Sequence, residues 1–144
     1  MTLRVLTPRE ASIFACVCDA VIAPEPKLPP VRATDAVAFF DEWMARSPAP
    51  NRVGMRALLY ALELSPLLTG ARTRLRRLDR AGRAAWLRAF ERTPQPQVRL
   101  VAKLVKSAAQ LSYYGDEAVL RLCGYDAEAN VRRGRALRVA EGRP

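Results

Sequence analysis

The sequence predicts an all-α protein, a single domain built as an irregular bundle of five to seven helices. Three observations lead to this prediction. Apolar residues recur at intervals of three and four through most of the chain, which is the spacing of one helix face. Proline clusters separate these stretches, and no window alternates apolar and polar residues with the β-branched enrichment typical of strands. Half of the 144 residues are apolar, which is enough to build a core at this length.

The first helix is predicted to begin at Pro8, immediately after a capping box. In that box the side chains of Thr7 and Glu10 each accept a hydrogen bond from the backbone N–H of the other residue. Proline at the first helical position has no intrahelical hydrogen bond to lose. Apolar groups then lie on nearly every face as far as Ile22, with Asp19 as the one charge. This pattern predicts a helix surrounded by others, and the prolines that follow indicate an extended connection.

Two helices are predicted next. The first begins at Thr34 or Asp35 and ends before Pro48, and its apolar residues are Val37, Phe39, Phe40, Trp43 and Met44. The second spans about 51–64 and is ended by Pro66, because proline cannot donate an intrahelical hydrogen bond. Its predicted inward residues are Met55, Leu58, Leu59 and Leu62. Its predicted outward residues are Arg52, Arg56 and Glu63.

A short basic turn around Leu75 and Leu78 precedes a further helix, which Asp79 can cap. The apolar bulk of that helix is Trp86, Leu87, Ala89 and Phe90. The longest amphipathic stretch, Gln97 to Tyr113, comes after two more prolines. Its predicted inward residues are Val101, Leu104, Val105, Ala108 and Leu111. The opposite side carries Arg99, Lys103, Lys106 and Gln110.

The stretch 110–126 is the most informative part of the chain. It ends the long helix, turns at Gly115, which is predicted to adopt the left-handed conformation, and starts a short helix capped by Asp116. Gly124 ends that helix. One interpretation is a tight apolar corner packed for stability alone, and the other is a binding surface. The helical domain is predicted to span residues 1–126, and 127–144 is predicted to be a basic tail that is mobile or ordered only by a partner.

The residue types exclude much chemistry. The chain has no histidine, which removes histidine acid–base catalysis, Ser-His and Cys-His pairs and most zinc sites. No glycine-rich phosphate loop follows a strand. The adjacent carboxylates Asp41 and Glu42 diverge on a helix, as on a solvated face. The three cysteines are interpreted as small buried hydrophobes, and a disulfide between Cys123 and Cys16 or Cys18 is the less favoured alternative. We therefore expect no catalytic, cofactor-binding or metal site in this chain.

Composition bounds the location and the partners. No apolar stretch is long enough to span a membrane, and neither an export signal nor a twin-arginine pair is visible, so we expect a cytoplasmic protein. The net charge of +10 is concentrated in two segments. Segment 71–92 holds eight arginines against two acidic residues, and 127–144 holds five against two. This balance suits nucleic acid, an anionic membrane surface or an acidic protein partner.

Two motifs carry a family resemblance. The first is 6–11, Leu-Thr-Pro-Arg-Glu-Ala, followed by 19–22, Asp-Ala-Val-Ile. The second is 112–116, Ser-Tyr-Tyr-Gly-Asp, followed by Ala-Val at 118–119 and by Gly-Tyr-Asp at 124–126. In this order they resemble the two hallmarks of the gluconate 2-dehydrogenase subunit 3-like family. The residues that the resemblance marks for partner binding are Tyr113, Tyr114, Asp116, Gly124, Tyr125 and Asp126.

The resemblance implies a non-catalytic accessory subunit. Members of that family are small helical partners that bind, stabilise or help mature a flavin-dependent dehydrogenase or oxidase of the glucose-methanol-choline (GMC) type, and the large subunit carries the FAD. Aromatic residues amid arginines agree with an interface, and the chain offers Trp43, Trp86, Tyr113, Tyr114 and Tyr125. The alternative, which follows from the charge, is a nucleic-acid-binding basic helical module. Attachment to an anionic membrane surface is a third reading.

Overall fold

The computed structural model describes residues 2–22, 26–68, 70–140 and 142. Within these ranges it contains helices and no strand, so the predicted all-α single-domain bundle is confirmed. Two short 3-10 turns, Val31–Ala33 and Leu75–Arg77, join the longer elements. The helices are α1 (Pro8–Val21), α2 (Ala36–Arg46), α3 (Ala49–Leu68), α4 (Arg80–Glu91), α5 (Pro96–Tyr114), α6 (Glu117–Leu122) and α7 (Ala127–Ala140).

Helix α1 lies at the centre of the bundle and contacts α2, α3, α4 and α5. Its predicted capping box is present: Glu10 N–H donates to Thr7 Oγ1 at 3.2 Å, and Thr7 N–H donates to Glu10 Oε2 at 2.8 Å. The rings of Phe14 and Phe40 stack with centroids 3.7 Å apart and join α1 to α2. The position of α1 confirms that a helix apolar on nearly every face is an interior helix. The other large side chains that are fully buried in the core include Ile13 and Val17 of α1 itself and, around α1, Met44, Leu59, Leu75, Tyr113 and Val119.

Helix α3 corrects two predictions. Pro66 does not end it; the helix continues to Leu68. Proline removes the N–H that would bond the carbonyl of Leu62, and the Ser65 hydroxyl donates to that carbonyl instead, at 2.9 Å. Glu63, predicted to face outward, is buried. Its carboxylate accepts hydrogen bonds from the Arg76 side chain at 2.9 Å and from the Arg76 backbone N–H at 3.2 Å.

Asp41 is a second carboxylate whose predicted position, on a solvated face, is wrong. It is buried, and its two oxygens accept hydrogen bonds from the backbone N–H groups of Arg4 at 2.6 Å, Val5 at 3.1 Å and Leu6 at 2.8 Å. Asp41 thereby holds the segment that precedes α1 against α2. Glu42 does lie outside, where it pairs with Arg4 and Arg46.

Helix α5 is rotated relative to the prediction. Val105 is buried as expected, but Leu104 and Leu111 are exposed. The face that packs on α1, α2 and α4 is formed mainly by smaller residues, Ala102, Val105, Ala109 and Ser112, together with Tyr113. Small side chains let neighbouring helices approach closely, so the bulky leucines remain at the edge of the contact.

The corner after α5 is partly as predicted. Asp116 caps α6, and Gly124 ends the turn after it with a left-handed φ of +74°. Gly115, however, has a right-handed φ of −79°, so the predicted left-handed turn there is wrong. Glycine is needed at 115 for space instead: an added Cβ would lie 2.7 Å from the Leu111 carbonyl oxygen. The prediction that Cys123 is buried is also wrong, because it is exposed; the three cysteines are all unpaired.

The C-terminal segment forms a helix. Along α7 none of the described side chains is buried. Tyr125 and Asp126 connect it to α6, and the Asp126 carboxylate accepts a hydrogen bond from Ala129 N–H at 2.9 Å, which caps the helix start. Among the described residues, no helix combines the length and the apolar character that crossing a membrane requires.

Candidate functional site

An apolar groove of about 290 Å³ opens between α2, α3 and α5. Its floor is formed by Phe14 and Val17 of α1, which are core residues. The residues that line it share an apolar character, apart from two serines on α5. The walls are Phe39, Phe40 and Trp43 of α2, Met55, Leu58, Leu59 and Leu62 of α3, and Leu104, Val105, Ser107, Ala108, Leu111 and Ser112 of α5.

The walls of the groove rise into solvent. Phe39 and Trp43 are each 45% exposed, Leu104 is 57% exposed and Leu111 is 67% exposed. Single exposed apolar residues are ordinary on a protein surface, whereas four large ones around one concave site indicate an interaction site. These four side chains form what we call the groove rim: Phe39, Trp43, Leu104 and Leu111.

The outer face of α3, which does not line the groove, is a separate exposed surface. Along one side of the helix it presents exposed residues without a charge among them: Val53, Gly54, Ala57, Ala61, Leu64 and Leu68. Two charged residues of α3 are held in contacts within the fold. Arg56 donates to the Val5 carbonyl and lies 3.6 Å from Glu10, and Glu63 binds Arg76. Arg52, the remaining charged residue of α3, is partly exposed, lies three residues before Met55 and forms no ion pair within the described ranges.

The α5 side of the groove is basic. Ser107 lies on the ridge between the groove and a second, shallower basin that is lined by Arg99, Lys103 and Lys106. Lys106 pairs with Glu91 at 2.6 Å, and Arg99 donates to the carbonyls of Thr93 and Pro94, both at 2.9 Å. Lys103 is exposed and has no ion pair within the described part of the chain.

One buried hydroxyl lines the groove. Ser112 is almost fully buried on the groove side of α5. A serine hydroxyl can donate or accept a hydrogen bond.

Two tyrosines of the predicted partner-binding set differ in exposure. Tyr113 is fully buried, and its hydroxyl donates to the Pro29 carbonyl at 2.5 Å, so its ring belongs to the core and is not presented to a partner. Tyr114 is exposed and packs edge-on against Tyr113, with ring centroids 5.2 Å apart. Trp86, another of the predicted aromatic contacts, is also buried and donates to the Ser65 hydroxyl.

Asp116 joins the starts of two helices. Its carboxylate accepts hydrogen bonds from Ala118 and Val119 N–H at the start of α6, and from Asp35 N–H at the start of α2. The bond from Asp35 N–H, together with those of α6, holds the pKa of the Asp116 carboxyl below its ordinary value. Asp116 therefore organises the corner from within.

The remaining predicted residues lie beyond α6. Gly124 supplies the left-handed turn, Asp126 caps α7, and Tyr125 is half-exposed. Of the six residues that the resemblance marks, Tyr114 and Tyr125 thus present large side chains to solvent. Of the groove rim, Trp43 was among the aromatic residues predicted to suit an interface, whereas Phe39, Leu104 and Leu111 were not predicted as site residues. The sequence did contain a signal for an exposed apolar surface on α5. The apolar residues of this helix cover a wider arc than a single core-facing stripe needs.

The described residues offer little else for chemistry. No group of three or more histidine, cysteine, aspartate and glutamate side chains within these ranges could hold a metal ion. Burial raises the pKa of the Cys18 thiol to about 12 and also raises that of Cys16. Both thiols therefore stay protonated at neutral pH.

Comparison of the chain with protein-family models, with characterised protein sequences and with solved structures finds no match. The fold and the groove therefore define the class of this protein: it is a basic, all-α bundle with an open apolar groove.

Proposed function

We propose that this chain is a non-catalytic accessory subunit whose groove binds a larger protein. The observation that carries the proposal is the groove rim, four large apolar side chains held in water around a concave apolar floor. Burying apolar surface contributes roughly 25 cal/mol for each Å², so covering this rim favours association.

The partner that best fits the sequence is a GMC-type FAD-dependent dehydrogenase or oxidase. This part of the proposal rests on the resemblance of the two motifs to the gluconate 2-dehydrogenase subunit 3-like family. Their location supports it. The first motif caps and enters α1, whose Phe14 and Val17 form the groove floor, and the second begins at Ser112 in the groove wall. In this proposal the large subunit carries the FAD, and this chain stabilises or matures it.

Co-expression with a candidate large subunit tests the proposal. We expect the tagged chain to co-purify with a yellow partner that shows flavin absorbance. Leu104→Glu and Leu111→Glu each place a charge in the groove rim and should release the partner, because an unpaired buried charge opposes binding. Leu137→Glu is the matched control, since Leu137 is an exposed leucine of α7 outside the groove lining. It should retain the flavoprotein.

Two results would count against the proposal. One is that no GMC-type flavoprotein associates with the purified chain. The other is that the isolated chain turns over a substrate or retains a cofactor by itself. Circular dichroism of each variant checks that the bundle is folded before its binding is interpreted.

Nucleic-acid binding is the second candidate, and α7 is the observation that favours it. Four exposed arginines lie on this helix: Arg132, Arg133, Arg135 and Arg138. In the other basic segment Arg76 pairs with Glu63, and Arg80 and Arg83 pair with Asp19, whereas its other five arginines are exposed: Arg72, Arg74, Arg77, Arg88 and Arg92. Binding through phosphates weakens steeply with salt. A duplex-binding titration that shows no salt dependence removes this candidate.

A further inference from the structure

We propose that the groove binds the hydrocarbon chain of a small single-chain amphiphile, whose anionic head group lies over the basic basin on α5. This inference goes beyond the proposed function. It concerns the interior of the groove and needs no protein partner, whereas the proposed function concerns the groove rim. Three features of the groove carry it: its apolar lining, its volume and its contact with the basin.

The interior of the groove is apolar and reaches the core of the bundle. Its floor is formed by Phe14 and Val17, and its walls include Phe40, Leu59 and Leu62; all five side chains are at most 2% exposed. None of the described residues that line the groove is charged. Water in such a cavity finds few hydrogen-bonding partners, whereas a hydrocarbon chain needs none. The interior therefore selects an apolar group.

The volume of the groove suits one hydrocarbon chain of moderate length. It is about 290 Å³, at the lower end of the range of small-molecule sites. An apolar cavity of about 150 Å³ holds one benzene molecule. On this scale the groove has room for a chain of about ten to twelve carbon atoms.

The basin beside the groove supplies the charge. Ser107 lines both the groove and the basin, so the two sites meet at this residue. Lys103 lines the basin one helical turn before Ser107, and it is exposed and unpaired within the described part of the chain. Lys106 and Arg99 also line the basin, although Lys106 pairs with Glu91 and Arg99 binds backbone carbonyls. An anionic head group beside Ser107 would meet Lys103 and accept a hydrogen bond from the serine hydroxyl.

The other charges around the groove agree with an anionic ligand. The acidic residues next to the lining are held by groups of the fold: Asp41 by backbone N–H groups, Glu42 by two arginines and Glu63 by Arg76. Arg52, three residues before the lining residue Met55, is unpaired within the described ranges. The unpaired charges beside the groove are therefore positive, which favours a carboxylate or a phosphate over a cationic head group.

Isothermal titration calorimetry of the full chain with decyl-chain amphiphiles tests the inference. Decanoate, decyl phosphate and decyltrimethylammonium have similar chains and different head groups, and each is used below its critical micelle concentration. At low salt we expect both anions to bind at least about tenfold more tightly than the cation, and the tighter anion identifies the head group. Octanoate and hexanoate should bind progressively more weakly, by about fourfold for each buried methylene that is removed.

Four variants separate the groove from the general positive charge of the chain. Leu104→Glu places a charge in the groove wall and should weaken decanoate binding at least about tenfold. Lys103→Glu should remove most of the preference for anions. Arg133→Glu, the same charge change on α7, and Arg52→Glu, on α3, should preserve it. Circular dichroism checks that each variant is folded.

Trp43 provides an independent readout within the site. It lines the groove and is 45% exposed, whereas the second tryptophan, Trp86, is buried and lies outside the groove lining. Decanoate should therefore shift the tryptophan emission to shorter wavelength. Trp43→Phe should remove this shift and still bind decanoate in calorimetry, because phenylalanine keeps the wall aromatic.

Several outcomes would overturn the inference: equal affinities for the three head groups, affinity that does not change with chain length, or binding that survives Leu104→Glu. Loss of the anion preference in Arg52→Glu and not in Lys103→Glu would overturn the placement of the head group on α5. Capture of a flavoprotein by a chain that binds no decanoate would remove the ligand and leave the proposed function. Decanoate binding without capture of a flavoprotein would support the inference and count against the proposed function alone.

Discussion

The segment before α1 depends on one buried carboxylate, so Asp41→Asn is the most informative test of the fold. Asparagine keeps the shape of aspartate but replaces one carboxylate oxygen with an amide NH₂. In the native protein one oxygen of Asp41 accepts from Arg4 N–H, and the other accepts from both Val5 and Leu6 N–H. The variant therefore loses one acceptor and the negative charge while the packing volume is conserved.

The expected cost follows from these three bonds. Hydrogen bonds to a charged group contribute about 1.5–3 kcal/mol each, and a buried donor left without an acceptor costs about 1–3 kcal/mol. The bond to Arg4 N–H is lost outright, and the other two lose their charge assistance. We expect a decrease of about 2–3 kcal/mol in the free energy of unfolding, measured by urea denaturation at neutral pH.

Glu42→Gln is the matched control. Glu42 is the next residue on α2, and it pairs with Arg4 and Arg46 at the surface. Exposed ion pairs contribute at most about 1 kcal/mol, so this variant should change stability less than Asp41→Asn. If the free energy of unfolding of Asp41→Asn lies within about 0.5 kcal/mol of the native value, the hydrogen bonds of Asp41 do not hold the segment before α1 as described.

The pH dependence gives an independent check. Burial raises the pKa of the Asp41 carboxyl, but the three backbone N–H groups outweigh burial and leave the pKa below its ordinary value of 3.8. The unfolded state then binds the proton first as the pH falls. The stabilisation is therefore complete above that ordinary value and is lost as the pH falls through the pKa of the folded state. The difference between the native protein and Asp41→Asn should be constant near neutral pH and narrow below about pH 4.

Four other substitutions are expected to alter the free energy of unfolding in urea. Gly115→Ala should destabilise the protein by about 1–3 kcal/mol, because the new methyl group meets the Leu111 backbone carbonyl. Gly54→Ala should stabilise it by about 0.5–1 kcal/mol, because position 54 is helical and has free space around it. Equal effects of the two substitutions would refute this contrast. Glu63→Gln should cost about 2–3 kcal/mol, because it weakens the buried pair with Arg76, and a neutral result would mean that the pair contributes nothing net. Tyr113→Phe should cost about 1 kcal/mol for its lost hydrogen bond, and unchanged stability would refute that contribution.

Local signals in the sequence were enough to predict the helices. The capping box at Thr7 and Glu10, the cap at Asp79 and the left-handed turn at Gly124 are each specified by a few neighbouring residues. Helix start and stop signals act over one turn of backbone, so a single sequence reveals them. The interior position of α1 was also readable, because apolar residues on nearly all faces leave such a helix no stable place at the surface.

Predictions failed where the partner of a residue lies far away in the chain. The sequence predicts a solvated Asp41, but its carboxylate binds the N–H groups of residues 4–6. It also predicts an outward Glu63, but the carboxylate of that residue pairs with Arg76. The prediction of a left-handed Gly115 failed for a different reason. Its small size is required by the Leu111 carbonyl and the Phe39 ring, and not by its own backbone angle.

By itself the sequence determined the helical class, the order of the helices and most of their ends, because caps, prolines and apolar spacing act locally. Only the tertiary structure decided which side of α5 faces the core, because that choice depends on how closely its alanines approach α1. The same choice leaves Leu104 and Leu111 in solvent and creates the groove. The candidate site is thus a consequence of packing between helices, which no local pattern in the chain specifies.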